Sequence, residues 1–118
     1  MEVVLDATRI HAGEPLRGVV RGERPPALLA ARWFTEGKGT QDVGPLLRAT
    51  LSRSGDGVYS FEIALPAGPR SYDGVLVKIR WCVLFHERSD QESGASSLPF
   101  EVLAPRPRRG TPYREGSS

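Results

Sequence analysis

From Val58 to Leu65 apolar and polar positions alternate, with Tyr59, Phe61, Ile63 and Leu65 on one side of the chain and Ser60 and Glu62 on the other. Period two is the spacing of an extended strand with one covered face, because successive side chains point to opposite sides. Gly74 to Arg88 repeats the pattern over a longer run. Val75, Val77, Ile79, Trp81, Val83 and Phe85 share one side, and the mixed set Leu76, Lys78, Arg80, Cys82, Leu84 and His86 shares the other. A one-residue slip would bury Lys78 and Arg80, so the register of this strand is well determined. Shorter alternating segments fill the rest of the chain. Val3 and Leu5 mark a face in the first, and Pro15 to Gly22 offers Leu16, Gly18 and Val20. In Ala27 to Thr35, Leu29, Ala31 and Trp33 oppose Leu28, Arg32 and Phe34, and both faces look partly covered. Leu46 to Ser52 turns Leu47, Ala49 and Leu51 inward, and Leu98, Phe100 and Val102 close the set.

That makes seven strands, separated by joints rich in turn formers. The joints are His11 to Glu14, Arg24 to Pro26, Glu36 to Thr40, Ser54 to Gly57 and Pro66 to Gly74. Ser89 to Ser97, with Gly94 and its serines, reads as a solvated loop. The Ala/Leu run from Pro26 to Arg32 is the one rival for a helical turn, and the Trp33-Phe34-Thr35 sequence after it favours a strand. Seven short alternating strands with regular turn signals predict an all-β antiparallel sandwich.

Two segments carry more than pattern. Gly13-Glu14-Pro15-Leu16-Arg17-Gly18-Val19-Val20 resembles the second strand of arrestin-like N-terminal domains. Leu65-Pro66-Ala67-Gly68-Pro69-Arg70-Ser71-Tyr72-Asp73-Gly74, followed by Ile79-Arg80-Trp81, is similar to a turn and strand of the same superfamily, which includes bacterial sporulation-control proteins and retromer-type scaffolds. Trp33 to Gly39 resembles a strand end and loop of its small bacterial members. The resemblance implies an immunoglobulin-like, arrestin-type β-sandwich whose edges and loops bind other proteins. It does not extend to receptor or endocytic work. The chain has room for one sandwich rather than two, its first strand lacks the phosphate-sensing lysine pair, and it has no Pro-Pro-x-Tyr motif or clathrin box.

The second motif also has a reading of its own. Pro66 ends a ladder for want of an N–H, Gly68-Pro69 forces a turn, and Ser71 and Asp73 can bond nearby amides. Tyr72 can bury its ring and satisfy its hydroxyl in the loop, and Gly74 permits a tight entry into the strand that carries Trp81.

Composition adds boundaries. At 118 residues, 39% hydrophobic and 25% charged, the chain suits one ordinary globular domain. Cys82 is the single cysteine, so no internal disulfide or cysteine-rich zinc site is expected. Met1 to Asp6 has no basic leader and too short an apolar run for a signal peptide, and no stretch reaches the ~20 apolar residues of a membrane span, so a cytoplasmic chain is expected. The net charge of +2 divides unevenly. Residues 105–118 carry +3, which leaves −1 for residues 1–104. We therefore expect a nearly neutral sandwich domain over 1–104 and a disordered basic tail over 105–118, rich in proline and arginine. A nucleic-acid partner is not expected, because its basic stripe belongs on the fold itself. The tail leaves peripheral contact with an anionic surface open.

Candidate chemistry is sparse. Gly37-Lys38-Gly39-Thr40 resembles a fragment of a phosphate loop, but it lacks the longer glycine run and the following helix. His11 and His86 are too few and too far apart for a metal site and read as structural side chains. Cys82 has an arginine nearby but no base placed to activate it. We expect no enzyme, no cofactor and no metal. The expected function is a non-catalytic interaction or scaffolding module, self-association through a sheet edge included. The alternative is a small-ligand or carbohydrate-binding sandwich, which would need exposed aromatics at a concave site. Candidate partner contacts are Lys38 and Asp42 in the Glu36–Asp42 loop, the Ser89–Ser97 loop, and Arg106, Arg108 and Arg109 in the tail.

Overall fold

Alternation sets which side of each strand is covered, and hydrogen bonding then assembles the strands into two sheets. The computed structural model describes residues 1–37, 41–69, 72–73 and 77–106, with the backbone alone at 72, 73, 77 and 78. Lys38, Ser71, Gly74, Arg108 and Arg109, and the expected tail beyond Arg106, lie outside the described residues. In chain order the strands are β1 (Glu2–Leu5), β2 (Arg9–His11), β3 (Pro15–Arg21), β4 (Leu28–Gly37), β5 (Leu47–Arg48), β6 (Thr50–Gly55), β7 (Val58–Ala64), β8 (Tyr72–Asp73), β9 (Val77–His86) and β10 (Ser96–Leu103).

The first sheet runs β1-β3-β7-β6 and the second β2-β10-β9-β4-β5, with β8 also paired to β9. Every pairing is antiparallel except β2 with β10, where Arg9, Ile10 and His11 run parallel to Glu101, Val102 and Leu103. The two sheets enclose one core. Leu16, Val20, Phe61 and Ile63 come from the first sheet, and Leu29, Ala31, Trp81, Val83, Phe100 and Val102 from the second. Each fully buried aliphatic or aromatic side chain contributes about 1.5–3 kcal/mol relative to exposure, so this layer holds the sheets together. Among the described residues no helix is long and apolar enough to cross a membrane.

Among the described residues ten strands stand where seven were expected, for local reasons. The segment read as Leu46 to Ser52 divides at Ala49. Its first half bonds to β4 of the second sheet, Ala49 N–H donates to Leu29 O (2.9 Å), and from Thr50 onward the chain pairs with β7 of the first. Strand β2 is absent from the expected set, and its last residue, His11, was placed in a turn joint, because only Ile10 of its three residues points to the core, too few for an alternation to register. Strand β8 lies inside the segment read as a loop, where Tyr72 pairs with Ile79 and Asp73 with Lys78. Of the run read as Gly74 to Arg88, residues 74–76 lie outside the described residues, and Val77–His86 is a strand. It stops there because the amides of Arg88 and Ser89 turn back to the His86 ring instead of continuing the ladder. The Pro26 to Arg32 run is extended, not helical, with Leu28 to Ala31 buried on both faces.

Candidate functional site

The two segments of the arrestin-like resemblance meet in space. Gly13 N–H donates to Pro66 O (2.9 Å), and Gly13 adopts φ +85°, a conformation glycine takes without steric cost. Gly18 lies under the ring of Phe61, where a Cβ would come within 2.6 Å of Phe61 Cζ. In the second segment the Gly68–Pro69 peptide is cis, and Pro69 O accepts a 2.9 Å hydrogen bond from Trp81 Nε1. Trp81 is 2% exposed and stacks obliquely against Phe100 at 5.8 Å. The described members of the motif therefore fasten the loop after β7 to the core.

Of the expected partner contacts, Asp42 is exposed, and its backbone closes the end of β4. Its N–H donates to Thr35 Oγ1 (2.8 Å) and its carbonyl accepts from Thr35 N–H (2.9 Å). Arg106 is tied down. Its Nε donates to Glu14 Oε2 at 2.6 Å, beside the Ala12 N–H to Leu103 O bond (2.8 Å) and the contact of His11 Nδ1 with Ala104 O (2.7 Å). Asp42 and Arg106 thus sit on separate loops and form no common site.

The sheet edges carry features that oppose further pairing. Glu101 N–H points away from β9, to Thr8 O (2.8 Å), so position 99 of β10 presents the same outward edge, and Pro99 has no N–H to offer there. Strand β6 has a register irregularity between Arg53 and Gly55, and the exposed Arg53 pairs with Asp56 (3.0 Å). Bulges and charges on an edge strand are devices that discourage edge-to-edge association. Strand β5 is two residues long.

What remains is a face. The outer surface of the second sheet carries a cleft of about 810 Å³ between β4, β9 and β10. Phe34, Cys82 and Pro99 form its floor, and Arg9, Glu36, Arg80 and Glu101 stand at its rim. The rim charges pair with one another, Arg80 with Glu36 and Arg9 with Glu101, each at 3.2 Å. Exposed pairs of this kind add little to stability, roughly 0–1 kcal/mol, but they leave the rim electrically balanced. Beyond the floor on the same face, Arg32, the register partner of Cys82, donates from Nε to Gly44 O (3.0 Å) and meets the carboxylate of Glu92.

No family model matches the chain, and no curated protein matches it. The cleft is therefore read from its own chemistry. Cys82 is the thiol in its floor, and burial pushes the thiol pKa up, against a smaller lowering by the Arg32 guanidinium. The thiol is thus protonated at neutral pH, and reaction with iodoacetamide should be slower than that of a free thiol, rising only above the ordinary thiol range. Alkylation of the native chain as fast as free cysteine would contradict this. Among the described residues no group of three or more His, Cys, Asp or Glu is placed to hold a metal ion. Of the described tryptophans, Trp81 is buried and Trp33 packs against the core, so the aromatic side chain on the cleft floor is that of Phe34. Alternation had placed Phe34 and Arg32 opposite Leu29 and Ala31, but it gave no sign that this outer face is concave.

Proposed function

We propose that the chain is a non-catalytic protein-interaction module built on an immunoglobulin-like, arrestin-type sandwich, and that the outer face of its second sheet is the contact surface. The cleft carries this reading. It has an apolar floor and a charge-balanced rim whose carboxylates are each held by an arginine, which suits docking by an uncharged or mixed segment. The strand orders support the fold type. The β1-β3-β7-β6 sheet facing β10-β9-β4 has the order of an immunoglobulin sandwich, with β2 as a first-strand segment that has crossed sheets. The edge features described above favour a face over an edge.

Affinity capture with three forms of the chain tests it: the full sequence, Phe34→Glu, and a chain ending at Ala104. Phe34→Glu places a charge on the cleft floor, and partners should be lost by about tenfold or more while circular dichroism and Tm stay close to the parent. The shortened chain should retain them. Loss of partners only on shortening would move the contact to the tail and refute the cleft.

A further inference from the structure

The connection between β9 and β10, residues 87–95, is mostly exposed, yet it is held down at both ends. At its root, His86 Nδ1 accepts hydrogen bonds from the amides of Arg88 (3.1 Å) and Ser89 (3.2 Å). Gly94 lies against the same ring, where a Cβ would sit 3.6 Å from Nε2. At its tip, Glu92 meets the Arg32 guanidinium on the outer face of β4. Leu28 and Ala30 share that face with Arg32 and are 0% exposed, and among the described residues both sheets are already accounted for without a third over them. The connection is therefore a strap lying across the upper half of the face whose lower half is the cleft.

The root has a chemical requirement. A ring nitrogen that receives N–H bonds must carry its lone pair, whereas both nitrogens of an imidazolium are donors. The Arg88 and Ser89 bonds thus exist only with His86 unprotonated at Nδ1. His11 is the opposite case: its Nδ1 faces the Ala104 carbonyl, so it donates, and that bond survives protonation. The charged groups around the His86 ring are Glu87, Arg88 and the Met1 ammonium, which lies 4.0 Å from Glu87. Leu28, its register partner on β4, and Ser96 at the start of β10 bring no charge.

We propose that residues 87–95 form a proton-released strap: protonation of His86 removes the acceptor for the Arg88 and Ser89 amides, and the root of the strap lifts from the face beside Leu28 while Glu92 still holds its tip to Arg32. The device holds whether or not the cleft docks a protein. Glu92 and Arg32 are the remaining tether once the root is released.

Amide hydrogen exchange on the full chain, corrected for intrinsic rates at about pH 7.5 and about pH 5.5, reads the strap directly. Protection at Arg88 and Ser89 should fall by roughly tenfold on acidification, the scale of losing two ordinary hydrogen bonds, while β9 and β10 amides keep theirs. In His86→Asn the side-chain oxygen accepts the same bonds and takes up no proton, so protection should persist and lose its pH dependence. His11→Asn should leave the response intact. Nitrogen NMR of the parent chain should find His86 Nδ1 unprotonated at neutral pH, a readout that does not depend on any variant folding. Equal protection at both pH values, a parallel loss in His86→Asn, core amides failing together with the strap, or a proton on Nδ1 at neutral pH would each overturn the proposal.

Discussion

Trp81→Ala should cost about 3–5 kcal/mol of unfolding free energy, the largest loss expected from any single core position. The indole is 2% exposed, lies in the middle of β9 opposite Trp33 of β4, and touches Phe100 of β10, so its removal opens a cavity at the junction of three strands. It also leaves Pro69 O without its donor, which loosens the cis-proline loop from the core. Small domains are stable by only about 5–15 kcal/mol, so the variant should populate unfolded chains measurably at 37 °C. Trp81→Phe separates the two contributions. It retains most of the apolar area but not the Nε1 donor, and should lose roughly 1–3 kcal/mol. Urea unfolding followed by circular dichroism measures both. If Trp81→Phe proves as damaging as Trp81→Ala, the hydrogen bond to Pro69 dominates and the packing account fails.

Gly18→Ala should be nearly as severe, about 3 kcal/mol, although it adds one methyl group. A Cβ at this position would come 2.6 Å from Phe61 Cζ and closer still to the Val4 carbonyl oxygen. The backbone of β3 has no room to move away, because it is paired on one side with β1 and on the other with β7. Shrinking the ring with Phe61→Leu should rescue part of the loss and not all of it, since the Val4 contact is with backbone. A double-mutant cycle in urea gives the coupling. Full additivity, with no rescue, would show that the ring over Gly18 is not the obstacle.

These two positions show where the sequence was informative. Trp81 and Phe61 fell on a covered face through alternation alone, and the structure buries both. Long strands with several inward residues read well for that reason, as β7 and β9 did. The short strands did not. Strand β2 has one core residue, and β8 is recognisable only through its register with Ile79 and Lys78, a long-range fact no local pattern carries. The passage from β5 to β6 is invisible to periodicity because Leu47, Ala49 and Leu51 alternate without a break while the chain changes sheets. The cleft was hidden for a related reason. Arg32, Phe34 and Cys82 were placed on a mixed face, but concavity depends on how a strap from residues 87–95 covers only part of that face. His86 was read as structural from its isolation. Its distinctive property lies in which ring atom receives which amide, and spacing says nothing about that.

The parallel pairing of β2 with β10 has a mechanical consequence. Glu101 N–H to Thr8 O and Ala12 N–H to Leu103 O are rungs between the strand near one end of the domain and the last strand of its second sheet. Tension drawing the chain before β2 and the chain after β10 in opposite directions runs along these two strands, so it loads the rungs together in shear. Had the two strands been antiparallel, the same tension would open them one rung at a time like a zip. Within this pair the rungs therefore resist together when the chain before β2 and the chain after β10 are drawn apart.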